Sequence, residues 1–380
     1  MGAMPTNRLA FGILPWYSLI MVCAISLAVF LCAREEKRLK LPKDTAVDVA
    51  LMAIPLGIIG ARLYYVAFSW DQFAYNPIRI LYVWEGGIAI YGAIIGGFAG
   101  MAIIAKRRKF LLRTLLDMAA PGLIIAQALG RWGNYFNMEA YGVAVTNPQW
   151  QFFPFAVLIQ ENGQPVWHLA TFFYESCWNV ITFLLLMSFR SKMSHKGDVF
   201  LWYVLLYGAG RAVIEGLRTD SLMWGGSAVR ISQWLSLVAC GIALMVLLLR
   251  NLHSIKKVTD ESPKKANLFP FAPGVACILL WAYFLLAGAY LNRAFPIPVF
   301  LAVLLLTCVT GICVPVVRSK WGFVPCVPLI LIGIGQVVFL FYYKGAQSPL
   351  LLQTWFITFL ALGFPAMALA VYPLTGETDD

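Results

Sequence analysis

Two stretches of this chain carry reactive residue types inside apolar surroundings. Gln127 to Gly142, QALGRWGNYFNMEAYG, follows an apolar run and gathers Arg131, Asn134, Asn137 and Glu139 within about nine residues. YGAGRAVIEGLRTD sets Tyr207, Arg211, Glu215 and Arg218 at intervals of four, four and three, one face of a helix. An arginine near the bilayer centre costs roughly 2.5 to 3.5 kcal/mol, so charge at a helix end needs a partner, a water-filled cavity or a ligand. The chemistry such arginines suit is capture of an anionic group. Plainer readings stand beside this one: Arg131 snorkels and the asparagines cap a helix end, while the second face is a solvated salt-bridge ladder. The second face ends an apolar span, where solvation is not free, which favours a polar seam turned to the bundle interior.

The elements that must position these residues are membrane helices. The chain has 380 residues, 61% hydrophobic and 12% charged, the composition of an all-α, polytopic helical bundle and not of a soluble domain. Its net charge of +11 falls in short basic clusters between apolar runs, a footprint of topology and anionic lipid that argues against nucleic acid. The eight cysteines lie in apolar runs without a CxxC pair, and there are three histidines, so neither a disulfide scaffold nor a metal site is expected.

Eleven spans are expected, with the N-terminus outside and the C-terminus cytoplasmic. The first, Leu14 to Ala33, precedes Arg34, Lys37, Arg38, Lys40 and Lys43; a cleaved signal peptide would carry its charge before the apolar run, so this helix is retained. The second, Thr45 to Phe68, closes in GARLYYVAFSW, where Gly60 and Ala61 permit close helix approach and Arg62 is either a site residue or a snorkelling cation. Trp84 to Gly100 holds six glycines and suits either a broken, re-entrant segment or a tight packing seam. The fourth span, Leu115 to Leu129, begins near Asp117 and delivers Arg131 to the outer leaflet. Val143 to Val166 reads as an outer-face subdomain, within residues 143–170. The fifth span starts in HLATFFYESCWN, with Tyr174 and Glu175 in its first turns, and runs to Phe189; the sixth starts at Asp198, and the seventh is Ile231 to Leu249. Residues 1–250 thus form a seven-span core, 251–270 a basic cytoplasmic linker, and 271–380 a four-span extension whose chemistry is silent.

GARLYYV, WEGGIAIYGAIIGG, GRWGNYFNMEAYG, TFFYESCWN and YGAGRAVIEGLRTDSLM followed by RISQ, in that order, resemble the prolipoprotein diacylglyceryl transferases of bacteria over about residues 10 to 250. The resemblance implies an enzyme of the cytoplasmic membrane, active toward its outer leaflet and without a cofactor. Its substrates would be phosphatidylglycerol and a preprolipoprotein signal peptide bearing a lipobox cysteine. Its reaction would move the sn-1,2-diacylglyceryl group to the cysteine thiol and release glycerol phosphate. By the same resemblance, Arg131, Asn134, Glu139 and Gly142 match the signature segment, whose arginine engages the lipid phosphate. Tyr207, Arg211 and Glu215 match the second cluster, and Arg218, which follows them by spacing, is counted among the substrate-binding candidates. Tyr91 stands where the best-known members carry a histidine proposed as a base.

Displacing phosphate from a glycerol carbon by sulfur turns a singly charged diester into a monoester with a growing second charge, where a guanidinium contributes most. Arg131 is assigned to the diester in the ground state and Arg211 to the transition state. A thiol of pKa about 8.5 is already a few per cent thiolate near neutrality. Tyr91 orients phosphate or thiol, or accepts the proton if a nearby arginine lowers its pKa; Glu139 and Glu215 are proton acceptors or the arginines' structural partners. His168 reads as an outer-face loop residue. The rival reading is a transporter or flippase for an anionic lipid, which calls for paired repeats that this sequence lacks.

Overall fold

The computed structural model describes residues 9–260 apart from 162, 194 and 222–229, and the side chains of 192, 248 and 251–260 are left aside. The linker beyond Asp260 and the four-span extension lie outside the described residues. Among the described residues seven α-helices follow in order: α1 Trp16–Arg38, α2 Thr45–Phe68, α3 Ile90–Arg108, α4 Leu112–Asn137, α5 Thr171–Phe189, α6 Asp198–Glu215 and α7 Ile231–Asp260. The first five are long and apolar enough to cross a membrane. Eighteen-residue α6 carries Asp198, Arg211 and Glu215, and α7 opens with an apolar stretch that runs from Ile231 up to Arg250. Val22, Phe30, Leu51, Ile58, Ile95, Leu184 and Ile242 face outward. Such an apolar exterior suits lipid and would be costly against water.

Lipid tails are as apolar as leucine, so helix association here rests on close packing and polar ties more than on water release. The α2–α3 pair shows the first device. A Cβ on Gly92 would lie 2.2 Å from the Gly60 carbonyl oxygen, and one on Gly96 would lie 2.0 Å from that of Leu56. The six-glycine stretch divides between the two readings: Gly92, Gly96 and Gly100 form a packing seam against α2, while its first residues are not α-helical and α3 begins at Ile90. Three short 3-10 segments precede it, Trp70–Gln72, Pro77–Leu81 and Val83–Glu85. Arg62 neither snorkels nor meets a carboxylate: it is buried and donates to the carbonyls of Arg79, Ile80, Tyr82, Gly86 and Gly87, fastening that non-helical segment to α2.

Helix ends are closed by carboxylates from neighbouring helices. Glu36 at the end of α1 accepts from Asp44 and Ala46, at 3.2 and 2.7 Å, where α2 starts. Asp117 near the start of α4 accepts from Gly197 and Phe200, at 2.5 and 2.9 Å, capping α6. These bonds account for two buried acids, since a helix N-terminus leaves orphan N–H donors and favours negative charge.

Three further boundaries differ from expectation. α4 continues to Asn137, so Arg131 and Asn134 lie within its last turns; Gly133 does not end the helix but lets Tyr17 of α1 approach, its ring 2.7 Å from where a Cβ would sit. α6 stops at Glu215, leaving Arg218 beyond the helix. α7 runs on over residues read as linker. The chain is also not wholly helical: a two-residue pairing of β1 Leu9–Ala10 with β2 Leu14–Pro15 precedes α1, and β3 Ala156–Glu161 pairs antiparallel with β4 Gln164–Leu169 in register Ala156 to Leu169. Apolar-rich runs on either side of Asn162-Gly163 are a hairpin signal, and Gly163 takes φ 81°.

Candidate active site

The last turns of α4, the first turns of α5 and the last turns of α6 converge on one carboxylate. Glu175, 2% exposed, has Oε1 2.8 Å from Arg131 Nη2 and accepts from Arg211 Nη1 on Oε2 at 2.9 Å. Arg211 also meets Glu215 Oε2 at 2.6 Å, and that oxygen lies 3.8 Å from Arg218. Arg218 closes the series with a bidentate pair to Asp220, at 2.8 and 2.6 Å. Three guanidinium groups thus alternate with three carboxylates from α4 across to the segment after α6. Buried charge survives in a low dielectric only when paired in this way, and loss of one member leaves another uncompensated.

The two predicted clusters are therefore one. Arg131 Nη1 donates to the Asn134 amide oxygen at 3.2 Å, and the Asn134 amide donates to Glu139 Oε1 at 3.1 Å, in the amide orientation that satisfies both neighbours. Asn137 also donates to Glu139, at 3.3 Å. The Tyr207 hydroxyl faces Arg131, and its ring stacks on Tyr203 with centroids 5.9 Å apart. Gln127 Nε2 donates to the Tyr203 hydroxyl at 3.0 Å, so both tyrosines are fixed from α4.

Backbone geometry holds the segment after α4. Met138 and Ala140 take φ of 56° and 58°, a region that residues with a Cβ enter reluctantly. Thr171 Oγ1 donates to the Ala140 carbonyl at 2.7 Å and pins the turn. The Gly142 N–H donates to Leu169 at 2.8 Å, the Val143 N–H to Leu217 at 3.0 Å, and Gly142 forms a bridge with Arg218. A Cβ at Gly142 would sit 2.8 Å from Leu169 Cβ, the Leu217 oxygen and Thr171 Cγ2, so only glycine fits. His168 is buried in β4 with Nδ1 2.8 Å from the Gly142 carbonyl, a fastening of the hairpin to this segment. The RISQ motif ties α7 to the same place: Arg230 donates to the Glu215 carbonyl, and Gln233 donates to that of Ala212 at 2.7 Å.

Tyr91 stands apart from the ladder. It opens α3 with its ring tilted against Tyr64, centroids 6.2 Å apart, and no hydrogen bond joins it to Arg131 or Glu175. Asp220, outside the helices, shows how strongly the ladder acts. Burial opposes its charged form, yet the Arg218 hydrogen bonds and charge outweigh this and hold the carboxyl below the usual carboxylate range.

Glu175 is the member that motif reasoning left outside the site. Its signal was present in the sequence: a lone acid in an apolar helix needs a cation.

The family model for prolipoprotein diacylglyceryl transferase matches residues 9–249. The phosphatidylglycerol-prolipoprotein diacylglyceryl transferase of Enterococcus faecalis (strain ATCC 700802 / V583) is 43% identical over 264 residues, covering 67% of this chain and 94% of that relative. Proteins of the same name from Streptococcus pneumoniae (strain Hungary19A-6) and Streptococcus mutans serotype c (strain ATCC 700610 / UA159) are 44% identical over 238 residues and 43% over 244. They cover 62% and 63% of this chain, and 89% and 92% of the relatives. The match takes in every helix that supplies the charge ladder, and the chain belongs to the prolipoprotein diacylglyceryl transferase family.

Proposed function

We propose that this protein transfers the sn-1,2-diacylglyceryl group of phosphatidylglycerol to the lipobox cysteine thiol of a preprolipoprotein. The sulfur bonds to the glycerol carbon as the carbon–oxygen bond to phosphate breaks, the thiol gives up its proton, and sn-glycerol 1-phosphate leaves. The observation that carries this reading is the shared carboxylate: Glu175 holds Arg131 and Arg211 together within a bundle that carries the family's sequence. One guanidinium then meets the diester while the other faces the charge that grows on the leaving phosphate. Arg131 is the natural ground-state ligand, because its contact with Glu175 lacks hydrogen-bond alignment, whereas Arg211 is bound by two carboxylates.

Asn134 and Glu139 position Arg131; Tyr207, Glu215, Arg218 and Gly142 shape the opposite wall; and the Tyr91 hydroxyl is assigned to the incoming thiol or phosphate. Seven spans with the ladder toward the outer leaflet of the bacterial cytoplasmic membrane, followed by four more, complete the proposal. The test is glycerol phosphate release from phosphatidylglycerol with a lipobox peptide and with its Cys→Ser counterpart. Thiol-dependent release that is lost in Arg131→Ala supports the assignment; release that ignores the thiol overturns it.

A further inference from the structure

At the end of the bundle opposite Arg131, two arginines share one carboxylate. Glu35, 2% exposed in the last turns of α1, accepts from Arg38 Nε at 2.6 Å and lies 3.2 Å from Nε of Arg190, just past the end of α5. Each guanidinium is engaged through Nε alone. Among the described residues no acceptor meets Arg38 Nη2 or Arg190 Nη1, although both atoms are buried. The other acids here make their hydrogen bonds elsewhere: Glu36 and Asp117 to helix N-termini, although Asp117 also feels the Arg38 charge, and Asp198 to Arg250 at 2.8 Å. Glu35 is the one carboxylate in direct contact with the two cations, with Asp117 a more distant counter-charge to Arg38, and the buried Nη atoms are left without acceptors in a partly desolvated place, a costly arrangement. Burial lowers the Arg190 pKa, Glu35 opposes that fall and the Arg38 charge adds to it.

We propose that the Nη edges of Arg38 and Arg190 form a second phosphate-binding site, distinct from the ladder, for a phospholipid headgroup or free phosphate at this membrane face. The planar guanidinium fork matches phosphate oxygens, and two forks held by one carboxylate are already oriented. The side chains are 28% and 19% exposed although Arg38 Nη2 and Arg190 Nη1 are buried, so a ligand at the surface meets those two atoms as the side chains turn outward. Both residues end helices that cross or flank the apolar layer, the depth at which headgroups lie. Exposed Arg34 and Lys37 on the same helix end add to the attraction for an anion. Of the two sources, a headgroup suits this depth better.

The test uses the full chain in nanodiscs of phosphatidylcholine, alone or mixed with phosphatidylglycerol, with retained lipid counted by native mass spectrometry. Wild type and Arg131→Ala should both keep a phosphatidylglycerol that Arg38→Gln and Arg190→Gln retain about tenfold less well. Inorganic phosphate that raises the melting temperature of wild type in detergent, but not of Arg190→Gln, would assign the site to free phosphate instead. Arg38→Gln leaves Glu35 paired with Arg190 and keeps the test open if Arg190→Gln does not fold. Equal lipid retention and equal phosphate response in wild type and variants would overturn the proposal and leave the Nη groups to bound water.

Discussion

Arg211 donates to Glu175 at 2.9 Å across the α5–α6 interface, while Arg131 meets the other oxygen of that carboxylate without hydrogen-bond alignment. The two arginines should therefore separate in their effects. Arg211→Ala leaves Glu175 with only the unaligned Arg131 contact and Glu215 with only Arg218 at 3.8 Å, and should cost about 3 to 5 kcal/mol of stability. Arg131→Ala should weaken phosphatidylglycerol binding by tenfold or more with a smaller loss of stability, because Glu175 keeps Arg211. Melting temperature and lipid affinity measured on both variants check this; a destabilised Arg131→Ala that binds lipid normally would reverse the roles.

Glu175 itself is predicted to be as sensitive as the arginines it joins. Glu175→Gln preserves shape but removes the charge between two guanidinium groups, and should cost about 3 kcal/mol of stability together with most of the turnover. Glu175→Asp keeps the charge and should recover part of both. Thermal unfolding and glycerol phosphate release, read on the same samples, decide whether the carboxylate matters as a charge or only as a space filler.

The parts legible in the sequence were those with a strong local cause. Helical periodicity set Tyr207, Arg211 and Glu215 on one face, and α6 places them so. Basic clusters and apolar runs marked the helices, and a charge buried in an apolar span marked the site. What was not legible depended on partners distant in the chain. Nothing local to Gly133 points to Tyr17 packed against it, and Arg62, read as either a site residue or a snorkelling cation, is surrounded by five carbonyls from residues 79–87. The union of the two motifs through Glu175 is of the same kind, since no spacing within either motif points to a third helix.

Gly142→Ala should be damaging without touching any charge. Its Cβ would press on Leu169, Thr171 and a backbone oxygen of Leu217 at 2.8 Å, and the backbone oxygen cannot turn aside. Overpacking of this sort costs about 1 to 3 kcal/mol. It would also part the Gly142 segment from Arg218, so turnover should fall more than stability does; a fully active Gly142→Ala would show that this bridge is dispensable.

The Arg218–Asp220 pair predicts a pH dependence at acid pH. The folded-state pKa of Asp220 is depressed, so its contribution to stability is fully present above the unfolded carboxylate value of about 3.9 and is lost as pH falls through the lower folded value. The difference in melting temperature between wild type and Asp220→Asn should be constant from neutrality down to about pH 5 and shrink below pH 4. A difference that grew on acidification would contradict the sign.

Tyr91 separates a role for a hydroxyl from a role for a ring. Its ring rests on Tyr64, and its hydroxyl makes no hydrogen bond to the ladder, so Tyr91→Phe keeps the packing and removes only a group that a substrate would use. One hydrogen bond of about 1 kcal/mol corresponds to a fivefold to tenfold fall in turnover with the lipobox peptide, with the melting temperature unchanged. Tyr91→Ala should lose stability as well, because the contact with Tyr64 goes. If Tyr91→Phe turns over at the wild-type rate, the hydroxyl takes no part in the reaction, and proton acceptance passes to Glu139, Glu215 or water.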